Sequence, residues 1–376
     1  MFANRSGSSV FLPVALPAVP LVARMVKFIF RRLLYGLLVL FGVIIVVFLL
    51  FQVLPGDPVA LMAGQKSDVS TREAIAHEFG LDKPLPTRLL QYLGDLSPVS
   101  VHTASPENQE KYRYTQLLPV GGEQVLVLKA PYLRRSFQTN RRVGEILLED
   151  IEGTVWLALA AIVFATVLGI TFGIVAALRP GSFWDHFLVI LSVLGISVPS
   201  FVAALLISQF FGNYLGEFTG LNTIGSLWET DVFEGRRLAL KNLILPTLAL
   251  GIRPLAIIMQ LTRSAMLEVM AQDYVRTARA KGLTRRQVVL KHALKNALNP
   301  VITAVSGWLA SLLAGAFFIE KIFYWKGLGR TTIDAIESKD FPVVMGATLF
   351  VATIFVLVNI LVDILYSVID PRVRLH

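Results

Sequence analysis

The stretch DYVRTARAKGLTRRQVVLKHALKNALNP occupies residues 273–300 and lies between two strongly apolar segments of the chain. Its pattern predicts a short helix, a glycine turn and a second helix, which is more internal order than a connecting loop needs. The first helix has small residues in its middle and basic residues around them. Small side chains allow a partner to approach closely and charges orient it, so the segment predicts a surface that another protein grips.

The ends of these two helices carry local capping signals. Asp273 is placed to cap the first helix, Tyr274 to Lys281, with its side-chain oxygen. Gly282 suits the left-handed position that ends a helix. Thr284 and Gln287 have the spacing of a capping box and predict the start of the second helix.

The second helix is predicted to be amphipathic. Four apolar residues recur at helical spacing and continue into the next apolar segment, namely Leu290, Leu294, Ala297 and Val301. The alternative interpretation of the whole loop is a basic segment that lies on anionic lipid.

The rest of the chain has the composition of a polytopic membrane protein. Its 376 residues are 55 % hydrophobic and its mean hydropathy is +0.64, values that soluble domains rarely reach. The apolar residues form blocks about as long as a bilayer is thick, and a backbone in hydrocarbon must satisfy its own hydrogen bonds, so each block predicts a helix. The all-α fold is predicted to have six spans: Leu33–Leu54, Thr154–Leu178, Phe187–Phe211, Leu243–Thr262, Val301–Ile319 and Val343–Val368.

Lys and Arg residues predict the orientation of these spans. If the N-terminus is cytoplasmic, the inside segments carry a large basic excess and the outside segments a small acidic one. Because Lys and Arg accumulate on the cytoplasmic side, both termini and the loop 263–300 are predicted to be cytoplasmic. The net charge of +9 is therefore mostly a topology signal and does not indicate a nucleic-acid partner.

Five segments are predicted from these spans. They are a flexible extension over 1–26, a first transmembrane helix over 27–54, a large extracytoplasmic loop region over 55–153, a core of five helices over 154–370, and a tail over 371–376. A second start at Met25 is favoured over a signal peptide as the reason for the extension.

The extracytoplasmic loop region is predicted to have local structure of its own. Thr71–Phe79 and Pro86–Leu93 have the pattern of short helices. Residues 112–130 alternate in polarity around Gly121 and Gly122, which predicts a β-hairpin.

Motifs for catalysis by this chain are missing from the sequence. It has no G-x-x-x-x-G-K-[ST] loop to hold ATP phosphates, no nucleophile elbow, no cysteine and only 5 scattered His. No catalytic residue and no metal site are predicted, and the chain is not expected to be an enzyme.

Six motifs occur in a fixed order along the chain and together resemble one family. They are LPGDPVALM at 54–62, ISVPSF at 196–201, DYVRTARAKGL at 273–283, HALKNAL at 292–298, Glu320 and Phe323 followed by Gly327–Arg330, and LVDILYSVIDPRVR at 361–374. This set resembles the dipeptide/oligopeptide/nickel branch of ABC-importer permeases, and the segment 273–300 is similar to the cytoplasmic coupling loop of that family.

The resemblance implies a type I ABC-importer permease fold in the cytoplasmic (inner) membrane. It also implies the partners of such a permease: a second homologous permease subunit, two cytoplasmic ATPase subunits, an extracytoplasmic solute-binding protein and the lipid bilayer. The chain itself would bind no cofactor, because ATP and Mg²⁺ belong to the ATPase subunits.

By the same resemblance, the first helix of the loop and its glycine are the residues that couple to the ATPase. These are Tyr274, Val275, Arg276, Thr277, Ala278, Arg279, Ala280, Lys281 and Gly282. The general family pattern has Glu-Ala-Ala six residues before the glycine, where this chain has Arg276, Thr277 and Ala278. A salt bridge made by that Glu is therefore not carried over.

Four residues inside the spans are candidates for the transport pathway: Pro199, Arg253, Asn359 and Asp363. Pro199 is expected to kink the third span, and intramembrane charges normally face a bundle interior or water. An Arg253–Asp363 pair is one interpretation. The preferred one places Asp363 against neighbouring helices near the interface and Arg253 on a water-filled pathway, where a substrate carboxylate is a further candidate contact.

The function expected from sequence is ATP-driven import of peptides or similar small solutes by alternating access. The alternatives are a secondary transporter driven by an ion gradient, an importer of nickel chelates or glutathione, and a membrane scaffold. Residues 100–128 are longer than the connection usual in the family. A tolerated surface insertion is favoured there over a contact with the binding protein.

Overall fold

The computed structural model describes residues 21–53, 83–231, 235–313 and 316–369. The LPGDPVALM motif, the predicted helix Thr71–Phe79, the tail over 371–376 and residues 1–20 of the predicted N-terminal extension lie outside the described residues.

The described chain is mostly helical, with two small sheets. The α-helices are α1 Leu21–Val53, α2 Leu85–Leu96, α3 Pro106–Tyr112, α4 Val143–Leu178, α5 Phe183–Ser197, α6 Ser200–Ile207, α7 Gly216–Thr219, α8 Ile244–Met270, α9 Asp273–Ala280, α10 Arg285–Gln287, α11 Leu294–Leu313, α12 Phe317–Ile322, α13 Leu328–Glu337 and α14 Phe341–Ile369. The strands are β1 Val99–Thr103, β2 Thr115–Gly121, β3 Gln124–Leu128, β4 Trp228–Asp231 and β5 Gly235–Leu238. A 3₁₀ turn, Leu240–Leu243, precedes α8, and two π-helical segments, Ser208–Tyr214 and Val288–Ala293, follow α6 and α10.

Among the described residues, four helices are long and apolar enough to cross a membrane, and a bent pair makes a fifth candidate. The four lie in α1, α4, α8 and α14. The prediction of several apolar spans is thus confirmed, while the structure does not by itself establish six.

The third predicted span, Phe187–Phe211, is not a single kinked helix. The chain turns by 108° between α5 and the segment Ser200–Tyr214. Val198 is extended, with φ −76° and ψ 125°, because the proline ring at Pro199 disfavours helical geometry in the residue before it. Pro199 itself also has no N–H to continue the helix, so the predicted kink is a break.

The core of the helical region is the close packing of α4 against α8. Gly169 and Gly173 lie at this contact, and a Cβ added at either position would come within 2.8 Å of the side chain of Ile258 or Thr262. The two glycines, spaced as G-x-x-x-G, therefore allow these two helices to pack closely. Val301 and Leu312 of α11 join the same buried cluster.

The insertion at 100–128 folds as a small α/β unit beside α2. Its three strands form an antiparallel sheet in the order β1-β3-β2. The predicted hairpin is confirmed, with Gly121 and Gly122 at φ 132° and 59° in the turn. Sequence patterns did not indicate β1 or α3, which complete the unit.

Asp95 joins this α/β unit to α2. Its carboxylate accepts a hydrogen bond from the Tyr112 hydroxyl at 2.9 Å, and its backbone carbonyl accepts one from the Lys129 ammonium at 2.5 Å. Lys129 is buried, and its ammonium lies over the ring of Tyr112, 5.1 Å from the ring centroid. The insertion is therefore an ordered part of the fold with polar and aromatic contacts of its own.

Candidate functional site

Helix α9 packs against the rest of the chain through one buried face. Val275 and Ala278 are buried, 0 % and 6 % exposed, and pack against Val288. The other positions are exposed to solvent, with Arg276 and Ala280 on the opposite face and Tyr274, 42 % exposed, beside Ala278. Val275 and Ala278 were predicted to contact a partner, but the structure buries them inside the chain. Seven of the nine predicted coupling residues remain available: Tyr274, Arg276, Thr277, Arg279, Ala280, Lys281 and Gly282.

The N-terminal end of α9 differs from the prediction. Gln272 occupies the N-cap position without a side-chain cap bond, and Asp273 is the first helical residue. The Asp273 carbonyl accepts a hydrogen bond from the Thr277 hydroxyl at 3.0 Å. Asp273 thus places a negative charge in the first turn, where it stabilises the helix by interacting with the helix dipole and does not cap a backbone N–H.

The C-terminal end of α9 is a Schellman motif built on Gly282. Gly282 has φ +78°, as predicted, and its N–H donates to the Arg279 carbonyl at 2.9 Å. The next N–H, that of Leu283, donates to the Ala278 carbonyl at 3.4 Å. These two bonds satisfy carbonyls that a helix end leaves without a partner and fix the direction of the chain after α9.

The second helix starts at the predicted capping box. The Thr284 hydroxyl accepts from the Gln287 N–H at 3.4 Å, and the Gln287 side-chain oxygen accepts from the Thr284 N–H at 3.0 Å. The Val288–Ala293 segment is π-helical and so has one more residue in its turn than an α-helix. Its residues are therefore rotated about the helix axis relative to the predicted apolar face. Leu290 is consequently 49 % exposed, and Val289 is buried in its place.

Side-chain contacts hold the loop to the helices around it. The Asn296 amide of α11 donates to the Tyr274 hydroxyl at 2.8 Å. The Arg285 guanidinium donates to the Leu178 carbonyl at the end of α4, at 2.6 Å. The loop that carries α9 is therefore hydrogen-bonded to both α4 and α11.

Arg276, where the general family pattern has a glutamate, points into solvent. Its guanidinium lies 3.6 Å from the Asp273 carboxylate, but the two side chains are 76 % and 96 % exposed. An ion pair that exposed contributes little to stability. Arg276 is thus free to form a stronger contact with a partner.

The pathway candidates do not form one cluster. Asp363 of α14 lies 2.8 Å from the Arg32 guanidinium of α1, so the Arg253–Asp363 pairing is wrong and the preferred placement of Asp363 against a neighbouring helix holds. The Asn359 amide donates to the Phe355 carbonyl of its own helix at 2.7 Å. Arg253 is exposed on α8 and has no hydrogen bond or ion pair within the described ranges.

A buried carboxylate that the sequence marked only as a family motif organises the opposite end of the helices. Glu320 is 0 % exposed and accepts hydrogen bonds from the Thr154 hydroxyl at 2.8 Å and the Gly329 N–H at 2.7 Å. The Arg330 N–H adds a third bond at 3.1 Å. The negative charge thereby caps the N-terminus of α13 and ties it to α4.

An ion pair between the buried carboxylate of Asp185 and the partly exposed Arg263 was not anticipated from the sequence. The Arg263 guanidinium donates to both carboxylate oxygens of Asp185, at 2.6 and 2.8 Å, and Asp185 is 3 % exposed. This two-point geometry fixes the start of α5 against α8, on the last two turns of α8 before the loop that carries α9.

Comparison with known proteins gives two family matches that together cover nearly the whole chain. The family described as binding-protein-dependent transport system inner membrane component matches residues 169–375, and its N-terminal component matches residues 25–158.

Among curated proteins, the chain is similar to three transport permeases. The di/tripeptide transport system permease protein DppB of Pseudomonas aeruginosa is 38 % identical over 367 residues, covering 93 % of this chain and 99 % of the relative. The dipeptide transport system permease protein DppB of Escherichia coli K12 is 36 % identical over 376 residues, with the same two shares covered. The glutathione transport system permease protein GsiC of Escherichia coli O6:H1 is 33 % identical over 350 residues, again covering 93 % of this chain and 99 % of the relative.

Proposed function

From the premise that the chain belongs to the binding-protein-dependent transport system inner membrane components, we propose that it is the permease subunit of an ABC importer for di- or oligopeptides. It is a multi-pass protein of the inner membrane. The observation that carries the coupling mechanism is the geometry of α9, a helix with a capped C-terminal end, one face anchored and the other exposed.

In this proposal, α9 is the helix that a cytoplasmic ATPase grips. Its exposed residues fill a cleft of the ATPase, and Val275 and Ala278 transmit the motion to the Val288 segment below them. Because the Schellman motif and the capping box fix both sides of Gly282, closure of the ATPase pair moves α9 and α10 together as a rigid body. The hydrogen bond from Arg285 to the end of α4 transmits the movement to the membrane helices.

The proposed topology has six crossings with both termini in the cytoplasm and the α/β unit outside. Five crossings correspond to α1, α4, the bent pair α5–α6, α8 and α14. The sixth is α11, and its packing into the α4–α8 cluster through Val301 and Leu312 supports this assignment.

The proposed complex contains this permease, a second homologous permease, two ATPase subunits and an extracytoplasmic solute-binding protein. ATP and Mg²⁺ act in the ATPase subunits, and this chain holds no cofactor. Alternating access would open the pathway to each side in turn. Arg253 is proposed to face that pathway, because it is a charged residue on a membrane helix with no partner in the described chain. The break at Pro199 is proposed to shape the same pathway.

Glutathione is the second candidate solute, because one relative of similar length and identity is named as a glutathione permease. Nickel chelates remain a third possibility carried by the family resemblance. A peptide and glutathione share a free carboxylate and amide bonds, so Arg253 suits either of them.

The proposed function is tested by purifying the complex through a tag on this chain and measuring ATP hydrolysis in nanodiscs. Hydrolysis should rise when the co-purifying binding protein and a dipeptide are added together. Solute uptake into proteoliposomes that follows a sodium or proton gradient and proceeds without ATP would overturn the proposal in favour of a secondary transporter. A rise with glutathione and none with dipeptides would change the solute and keep the mechanism.

A further inference from the structure

The cytoplasmic end of α4 forms, with the start of α5 and with α10, an open cleft of about 540 Å³. This volume falls in the range of small-molecule sites. Its walls are mostly apolar and include Val175, Trp184 and Leu290, each at least 43 % exposed. The charged residues that line it are Arg179, Arg285 and Arg286, and none of its lining residues is acidic.

Among the described residues, two of these arginines have no acidic partner. In the part of the chain that the structure describes, neither Arg179 nor Arg286 lies within ion-pair distance of a carboxylate. The nearby Asp185 is buried and fully engaged by Arg263, so it does not neutralise the cleft. The third, Arg285, donates to the Leu178 carbonyl and keeps the cleft in shape.

Aromatic side chains mark the level of the cleft relative to a membrane. Phe183, Trp184 and Phe187 pack on one another at the start of α5, with ring centroids 5.8 to 6.2 Å apart. All three are exposed, between 45 % and 74 %. Exposed Trp and other aromatic rings of this kind gather at the headgroup level of a bilayer.

We propose that this cleft binds the phosphate headgroup of an anionic phospholipid from the inner leaflet, beside the coupling loop. Arg179 and Arg286 contact the phosphate, and the apolar wall formed by Val175, Trp184 and Leu290 holds the first part of an acyl chain. The apolar wall selects a lipid over a free phosphate ion. The proposal rests on the proposed function for the cytoplasmic placement of this end of the molecule.

Such a site would link the loop that carries α9 and α10 to a lipid of the surrounding membrane. Arg286 belongs to α10, which the Gly282 turn joins to α9, and Arg179 belongs to the α4–α5 turn. A bound phosphate would therefore bridge the loop to the membrane helices with two charges, in addition to the Arg285 tie. The cleft is a basic pocket between helices on the cytoplasmic side, a setting that suits anionic headgroups.

The experiment is native mass spectrometry of the complex, purified through the full-length chain and mixed with equal amounts of phosphatidylglycerol and phosphatidylcholine. The wild type should prefer phosphatidylglycerol. At roughly five-fold for each arginine near an anionic headgroup, Arg179→Gln with Arg286→Gln should lower that preference about 25-fold. The matched control is Lys291→Gln with Lys295→Gln, which removes the same charge from exposed positions outside the cleft and should leave the preference unchanged.

Four results would overturn the lipid site. The first is equal binding of the two lipids to the wild type, and the second is an equal loss of preference in the control variant. The third is complete displacement of phosphatidylglycerol by inorganic phosphate. The fourth is an arginine double variant that loses the ATPase subunit but keeps its lipid preference. The last would assign the cleft to a protein partner. Because ATPase co-purification is scored separately from lipid binding, failure of the lipid site is distinguishable from failure of the proposed coupling role.

Discussion

Replacing Gly282 with valine perturbs the turn between α9 and α10 through the backbone alone. The residue has φ +78°, and a Cβ added there would meet no heavy atom within 4 Å. No clash therefore contributes, and the cost is that of placing an L-residue in the left-handed region, about 1–2 kcal/mol and more for a β-branched side chain. That cost lowers the ratio of correctly placed to displaced α9 by roughly 5- to 30-fold.

The assay is solute uptake, together with ATP hydrolysis stimulated by the binding protein and solute in the purified complex. Gly282→Val should lower both by about five-fold or more, in line with the cost above, and leave the amount of protein in the membrane unchanged. Gly282→Asn is the matched control, because asparagine tolerates a positive φ, and it should retain most of the activity. Wild-type uptake by Gly282→Val would refute the argument that this turn couples the two subunits.

Three further predictions concern other parts of the molecule. Glu320→Gln should destabilise the protein by about 2 kcal/mol in thermal unfolding, because the buried acceptor of three hydrogen bonds loses its charge. Glu337→Gln, which removes a charge from an exposed ion pair, is the control and should leave the stability nearly unchanged. Burial, with Lys129 nearby, lowers the pKa of His102 below 6.5, so the folded α/β unit binds fewer protons than the unfolded chain. The α/β unit should therefore lose stability as the pH falls below about 6.5. In proteolysis assays of the complex, His102→Gln should remove that loss. Arg253→Met should lower uptake without loss of assembly, and unchanged uptake would exclude Arg253 from the pathway.

The coupling loop was largely predictable because its signals are local. A capping box and a glycine at a helix end each depend on a few neighbouring residues, and the structure has Thr284 with Gln287 and Gly282 in the predicted roles. The misplacement of Asp273 by one position has the same origin, since helix ends shift easily by a residue.

Features set by packing were not predictable in this way. The π-helical segment rotates Leu290 away from the face that a 3.6-residue period assigns to it. The 108° turn at Pro199 depends on where α6 packs, and a proline alone indicates only that a helix is disturbed. The partner of Asp363 is Arg32, more than three hundred residues earlier in the chain, and no local pattern connects the two.

The insertion at 100–128 shows an intermediate case. Its hairpin was visible as alternation around two glycines. The signals for β1 and α3, the alternation in Val99–Thr103 and the cap Ser105 before Pro106, were missed; both elements are short and neither has a fully buried residue. The contacts of Asp95 with Tyr112 and Lys129 join segments far apart in sequence. Whether this unit touches the binding protein stays a prediction, which deletion of the unit and an uptake measurement would decide.

The central claim, that the exposed face of α9 docks on an ATPase, is tested most directly by cysteine cross-linking. The sequence has no cysteine, so each substitution gives a single reactive thiol. With a short thiol-to-amine cross-linker in the purified complex, Thr277→Cys and Lys281→Cys should form a product with the ATPase subunit, because both positions are exposed. Ala278→Cys, buried at 6 % exposure on the same helix, should not. Equal cross-linking at all three positions, or none at the two exposed ones, would contradict the account.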